Sequence, residues 1–162
     1  MSAAAPTLRH QVRRGDEEAV RRIVSGSGFF RPAEVEIAVE LVAEALERAE
    51  ASGYCFVVAE EGGTVVGYTC FGEIPGTEGS WDLYWIAVDS ERRGQGLGRR
   101  LLAASEERIA AAGGRRVFIE TSSLDLYRPT RQFYLRCGYR VEAELADFYR
   151  PGDGKVIFGR RL

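Results

Sequence analysis

The chain has 162 residues, a formal net charge of −2, 45% hydrophobic and 28% charged residues. That length suits one domain whose core buries about two-thirds of the unfolded surface, and the mix excludes wholesale disorder. No apolar run nears the roughly 20 residues that span a bilayer, and the negative balance speaks against a general nucleic-acid binder. Neither a membrane nor a nucleic acid is therefore an expected partner.

Met1 to Pro6 lack a charged n-region and an apolar h-region, so residues 1–6 read as a disordered tail. A single domain over 7–162 follows. Leu8 to Arg13 alternates weakly and reads as a first strand. Asp16 is placed to cap a short helix running to about Ser25, which Gly26-Ser27-Gly28 breaks. After Phe29-Phe30-Arg31, Pro32 suits the first turn of a second helix. Val35, Ala38, Val39, Val42, Ala45, Leu46 and Ala49 recur at three- and four-residue steps along it, and Gly53 ends it.

Tyr54 to Ala59 and Thr64 to Phe71 read as an antiparallel hairpin joined by Glu60-Glu61-Gly62-Gly63. Trp81 to Val88 is apolar on both faces, which predicts a central strand covered on both sides. Leu97, Leu101, Leu102, Ser105, Ile109 and Ala112 mark a third helix, stopped by Gly113-Gly114. Val117 to Thr121 then forms a strand parallel to the previous one, as a strand-helix-strand unit requires. A short helix over Pro129–Arg136 and two strands, Tyr139–Tyr149 and Lys155–Arg161, flanking Pro151-Gly152-Asp153-Gly154, complete the chain. The order is β-α-α-β-β-β-α-β-α-β-β: an α/β (α+β) domain with a mixed sheet of about seven strands and four helices.

Chemistry is restricted by what is scarce. Cys55, Cys70 and Cys137 form an odd set with no C-x-x-C pair and sit among apolar residues. They read as buried, reduced thiols of a cytoplasmic protein. His10 is the only histidine and lies near the tail, so Cys–His and Ser–His catalysis and His-based zinc sites lack their raw material. No metal is expected. The most informative stretch is Arg92-Arg93-Gly94-Gln95-Gly96-Leu97-Gly98-Arg99-Arg100, between a central strand and a helix. Glycines let such a turn expose its N–H groups, and a helix N-terminus adds roughly half a positive charge. Together they suit a pyrophosphate, and the four arginines suit further phosphate oxygens. The turn lacks the third Gly of G-x-G-x-x-G and the Gly-Lys-Ser/Thr of a nucleoside-triphosphate loop. A merely flexible connection is the alternative.

With its placement, the stretch resembles the GNAT superfamily of acyl-coenzyme-A-dependent N-acyltransferases. Arg93-Gly94-Gln95-Gly96-Leu97-Gly98 fits that family's Q/R-x-x-G-x-G/A loop, and Ile86-Ala87-Val88-Asp89 fits the strand end before it. Phe133-Tyr134 with Gly138-Tyr139 fits the later F-Y-x-x-x-G-F/Y helix end. The element order matches over nearly the whole chain. The resemblance implies a GNAT-like fold and acetyl-CoA as co-substrate. Backbone amides of Arg93, Gly94, Gln95, Gly96, Leu97, Gly98 and Arg99 would grip the pyrophosphate. The main chain of Ile86, Ala87 and Val88 would pair with the pantetheine arm, an N–H near Ile86 polarising the thioester carbonyl.

By the same resemblance, Tyr134 would donate a proton or hydrogen bond to the departing thiolate, unless it simply packs. A phenol near pKa 10 giving its proton to a thiolate near 8.5 is uphill by about 2 kcal/mol, which favours hydrogen bonding with late transfer. The general base varies in the family. Asp82 and Glu120 are both candidates, and either also reads as structural. An alkyl ammonium near pKa 10.4 costs about 4–5 kcal/mol to neutralise at pH 7, so a base is needed. The Asn that many members carry seven residues before the Tyr is Tyr127 here. Ser122, Ser123, Asp125 and Thr130 are the polar residues in reach to replace it. Phe29, Phe30, Arg31, Glu73, Asp147, Phe148 and Tyr149 would shape an acceptor pocket suited to a cationic amine, or be ordinary surface. The resulting expectation is an acetyl-CoA-dependent N-acetyltransferase acting on a small-molecule or protein amine, with a homodimer compatible with it. A non-catalytic acyl-CoA sensor and a nucleotide-binding module are its rivals.

Overall fold

A computed structural model of the chain describes residues 4–162. The first three residues of the expected tail lie outside the described residues, and Ala4–Pro6 carry neither helix nor strand. The elements are β1 (Thr7–Arg9), α1 (Asp16–Gly26), α2 (Pro32–Arg48), β2 (Cys55–Glu61), β3 (Thr64–Glu73), β4 (Ser80–Val88), α3 (Leu97–Ala111), β5 (Arg116–Ser122), α4 (Arg128–Arg136), β6 (Arg140–Arg150) and β7 (Asp153–Arg161). Their order is the expected one, with short 3-10 turns at Ala49–Ser52, Ser90–Arg92 and Asp125–Tyr127. The seven strands form one sheet in the order β1-β2-β3-β4-β5-β7-β6. β4 and β5 run parallel, and β1–β2, β2–β3, β5–β7 and β6–β7 run antiparallel. Among the described residues no helix is long and apolar enough to cross a membrane.

The chain divides into two compact units. One comprises the chain up to Gly72 together with Trp85–Glu107; the other comprises Glu73–Tyr84 and Arg108–Leu162. In the first, Val20, Ile23 and Val24 of α1 and Val35, Ala38, Val42 and Ala45 of α2 form one buried cluster with Phe56, Val58, Tyr68 and Cys70 of the hairpin. The apolar spacing read along α2 is the stripe it buries as far as Leu46; Ala49 is exposed and lies past the end of α2 at Arg48, in the 3-10 turn that precedes Gly53. The opposite face of the hairpin meets α3. A Cβ on Gly67 would lie 3.0 Å from Leu101, and the Thr69 and Ser105 hydroxyls bond at 2.6 Å, which gives the lone polar residue in the α3 stripe its buried partner.

Several local expectations are corrected. β1 ends at Arg9, where the charged and polar run Arg9–Arg14 gives way to an ion-pair cluster. Asp16 does not cap α1. Gly15, left-handed at φ 100°, holds the cap position, and the Asp16 carboxylate turns back to accept the Arg13 N–H and both Arg9 guanidinium nitrogens at 2.7–2.8 Å. Glu60 and Glu61 belong to β2, not to the hairpin connection. That connection is only Gly62-Gly63, whose φ values of 57° and 81° are those of a two-residue primed turn. β4 is not covered along its whole length, since Tyr84 is 41% exposed and Asp82, Ile86 and Val88 are half-buried. Cys70 is buried, whereas Cys55 and Cys137 are only half-buried.

Candidate active site

In the first unit, the turn between the 3-10 segment Ser90–Arg92 and α3 is exposed from Arg93 to Gly96. Gly94 and Gly96 sit at φ 75° and 79°. A Cβ on either would meet nothing within 4 Å, so the left-handed backbone, not crowding, is what calls for glycine there. Leu97 then opens the fifteen-residue α3 with its side chain buried, and Gly98 lies inside that first turn, not in the loop. The strand end before the turn is anchored by Asp89. Its N–H donates to Val66 at 2.8 Å, and its carboxylate accepts from Glu91 N–H and from Arg22. The Glu91 N–H, with Arg22 beside it, holds the Asp89 carboxyl below its ordinary range.

The arginines flanking the turn are not all open to phosphate. Arg92 is tied to Glu61, Arg93 lies 5.4 Å over the Phe29 ring, and Arg100 donates to the Pro6 carbonyl at 2.9 Å. Phe30, a candidate acceptor residue, packs on Trp85 of β4 at 4.8 Å between ring centroids.

In the second unit, register sorts the candidates by face. Asp82 pairs with Phe118, and Glu120 and Ser122 lie two and four residues further on the same face of β5. Ser122 pairs with Lys155 of β7, so Asp82, Glu120 and Lys155 share one face. Lys155 Nζ lies 2.8 Å from Glu120 Oε2 and 3.7 Å from the centroid of the Phe148 ring, with Tyr149 at 5.8 Å. Burial, with Glu120 nearby, raises the Asp82 pKa against the opposing pull of Lys155. Glu120 is exposed on its strand, so the desolvation cost expected for a carboxylate there is relieved by water as well as by the lysine.

Tyr134 is on the other face. Its ring is 5.5 Å from Phe158, which pairs with Ile119, itself the partner of Leu83. Tyr139 and Phe133 complete an aromatic cage, and burial pushes the Tyr134 phenol well above its ordinary pKa. Asp147 is left-handed at φ 54° and accepts the Gly152 N–H; Glu73 is exposed at the end of β3. Ser122 and Ser123 are engaged internally. Ser122 bonds Asp153, and Ser123 accepts the Gly154 N–H at 2.8 Å. Of the proposed replacements for the family's Asn, Asp125 is exposed and Thr130 half-buried.

The model of the acetyltransferase (GNAT) family matches residues 25–139. The chain belongs to the GNAT acetyltransferase family. A GNAT-family crystal structure from Desulfovibrio desulfuricans is 48% identical and superposes with a TM-score of 0.95, covering 97% of this chain and 99% of that one. An aminoglycoside 6'-N-acetyltransferase complexed with coenzyme A shares the fold at 19% identity and a TM-score of 0.78, over 96% of each chain. An uncharacterized N-acetyltransferase of Methanocaldococcus jannaschii is 33% identical over 104 residues, 64% of each chain. The chain spans 64%, 32% and 55% of the lengths of three curated relatives it matches.

Within this GNAT fold, sequence reasoning missed Lys155 as part of the carboxylate cluster. It read the residue only as the start of a strand. The available signal was that Lys155 is the chain's single lysine in a background of arginine. Its partners come from β5 and from the far end of β6, which no local pattern joins.

Proposed function

We propose that the protein transfers an acetyl group from acetyl-CoA to a primary amine by direct attack on the thioester. The observation that carries this reading is the exposed, doubly left-handed Arg93–Gly96 turn that leads straight into α3. Amides presented at a helix N-terminus suit a pyrophosphate, and such a ligand fits a turn with open space around both glycines. Backbone groups from Arg93 to Arg99 take the diphosphate. The main chain of Ile86, Ala87 and Val88 takes the pantetheine arm, and an N–H near Ile86 polarises the carbonyl.

Tyr134 meets the leaving sulfur. Because burial makes its phenol a weaker acid than usual, it donates a hydrogen bond to the thiolate without early release of the proton. A carboxylate, Asp82 or Glu120, accepts the proton of the attacking ammonium. The amine belongs to a small molecule or a protein. Phe30, Glu73, Asp147 and Tyr149 lie on its side of the reaction. Support for an amine acceptor also comes from the relatives, which include a blasticidin-S acetyltransferase of Streptomyces morookaense, 37% identical over 81 residues.

A panel of amines, each mixed with acetyl-CoA and followed by free-thiol release, tests the reading. Release that depends on one class of amine is expected. A protein that binds acetyl-CoA but releases no thiol with any amine is instead the non-catalytic sensor, which the 4% exposure of Tyr134 would also suit.

A further inference from the structure

In the second unit the sheet face that carries Asp82, Glu120 and Lys155 ends in arginines. Arg116 of β5 stands directly opposite Arg161 of β7, and Arg140 of β6 stands opposite Gly159, the partner of Phe118. Alternation along the strands puts Arg116, Arg140 and Arg161 on one face with Phe118. Like charges directly opposite on neighbouring strands are destabilising, and a guanidinium does not shed its charge.

Anions do not match cations at this end. Glu142, beside the bulge between Val141 and Ala143, pairs with Arg116. The pair lies flat on the sheet: a Cβ on Gly159 would be 2.7 Å from Glu142 Oε1 and 2.9 Å from Arg116 Nη2. The Arg116 guanidinium is also 4.8 Å from the centroid of the Phe118 ring. Its Nε–H is buried and has no acceptor, whereas buried donors normally have one. Arg140 and Arg161 are exposed, and among the described residues neither makes an ion pair. Glu144 pairs with Val156 and so lies on the other face. The charges that act on Asp82 are Glu120 and Lys155, which assigns its carboxylate to the opposite end. Neither the Glu78 carboxylate nor the one that ends the chain pairs with these arginines among the described residues. Three guanidinium groups therefore share the single carboxylate of Glu142.

We propose that Arg116, Arg140 and Arg161 form an anion-binding strip that selects acceptors carrying a carboxylate at a distance from the reacting amine. This rests on the acetyl-transfer reading above, which sets the amine beside Asp82 or Glu120. Strand residues advance about 3.3 Å each, so Arg116 lies about 7 Å from the row of Asp82 and Phe118 and about 13 Å from Glu120. The acceptor is then a zwitterion, with its ammonium and its carboxylate about 7–13 Å apart. Planar guanidinium forks suit a carboxylate, and the charge-assisted bonds it brings also relieve the repulsion between Arg116 and Arg161. Two sources present this chemistry: a small ω-amino acid, and the amino end of a peptide with acidic residues just after it.

Two acidic probes, ε-aminocaproate and the peptide Gly-Gly-Asp-Asp, are compared with hexylamine and the amidated peptide Gly-Gly-Asn-Asn at constant ionic strength. Binding is followed in arginine 15Nε–1Hε spectra, where the Arg116 signal is assigned by its loss in Arg116→Lys. A saturable shift of that signal is expected with an acidic probe and not with its neutral counterpart, and the probe that gives it identifies the source. In Arg140→Gln/Arg161→Gln the Kd rises at least about tenfold. Arg161→Gln alone removes a like charge and is expected to leave Tm at or above that of the wild type, which separates lost binding from lost folding. Equal shifts from acidic and neutral probes, no shift from either, or an unchanged Kd in the double variant overturns the proposal.

Selection of the acceptor is read from thiol release with acetyl-CoA. The acidic probe that binds is expected to exceed its neutral counterpart in kcat/KM by at least about tenfold, through KM, and the double variant is expected to lose that preference. Binding without the preference overturns the selecting role. Absence of turnover with every amine sinks the acetyl-transfer reading, while the spectra still decide the anion strip.

Discussion

Replacing Gly96 by Ala isolates what the turn contributes. Gly96 is left-handed at φ 79°, and an added Cβ meets nothing within 4 Å, so the substitution introduces backbone strain without a clash. A left-handed alanine costs about 1–2 kcal/mol. That cost has two places to appear. If α3 holds the turn left-handed in the free protein, stability falls by the full amount, a loss of roughly 2–8 °C in Tm at this chain length. If the turn relaxes, its amides leave the diphosphate and regain it only on binding, and the Kd for coenzyme A rises roughly 5- to 30-fold. Differential scanning fluorimetry and calorimetric titration of coenzyme A on the same samples measure both parts, whose sum is expected to be about 1–2 kcal/mol. Gly62→Ala is the control. Gly62 is equally left-handed but lies in the β2–β3 turn, so its whole penalty falls on stability. A Gly96→Ala protein with unchanged Tm and unchanged Kd refutes the reasoning.

Tyr134→Phe keeps the ring packing against Phe133, Tyr139 and Phe158, so Tm moves little while kcat falls roughly 10- to 100-fold at constant KM for acetyl-CoA; steady-state kinetics check this. Asp82 has a folded pKa raised first by burial and then by Glu120. Its penalty is absent below the ordinary aspartate pKa and fully present above the raised one. Asp82→Asn therefore raises Tm at pH 7, with the gap closing as the pH falls; melting curves across that range show it. Asp16→Ala strips Arg9 of one buried partner and leaves the Arg13 N–H without its acceptor. A loss of about 2–3 kcal/mol in urea unfolding is expected, and a loss under 1 kcal/mol counts against the network.

The fold was legible wherever local pattern and packing agree. The strand-helix-strand unit and most of the α2 stripe appear where periodicity put them, whereas the hairpin connection is shorter than its sequence suggested, because Glu60 and Glu61 extend β2. Asp16 misled because capping preference is a local rule, and a neighbouring Arg9 outcompeted the helix N–H groups for its carboxylate. The candidate loop was legible because its chemistry is contiguous in sequence. The carboxylate cluster was only half legible. Alternation put Asp82 and Glu120 on their strands, but nothing along the chain joins Lys155 to Glu120 or folds Phe148 over it. The same limit applied to the arginines, whose partners Glu61 and Phe29 lie far away in sequence.

Calorimetric titration of acetyl-CoA into the wild-type protein tests the central claim most directly. The account predicts saturable one-to-one binding that inorganic pyrophosphate weakens and that adenosine alone does not reproduce. No heat of binding at high protein concentration would contradict it.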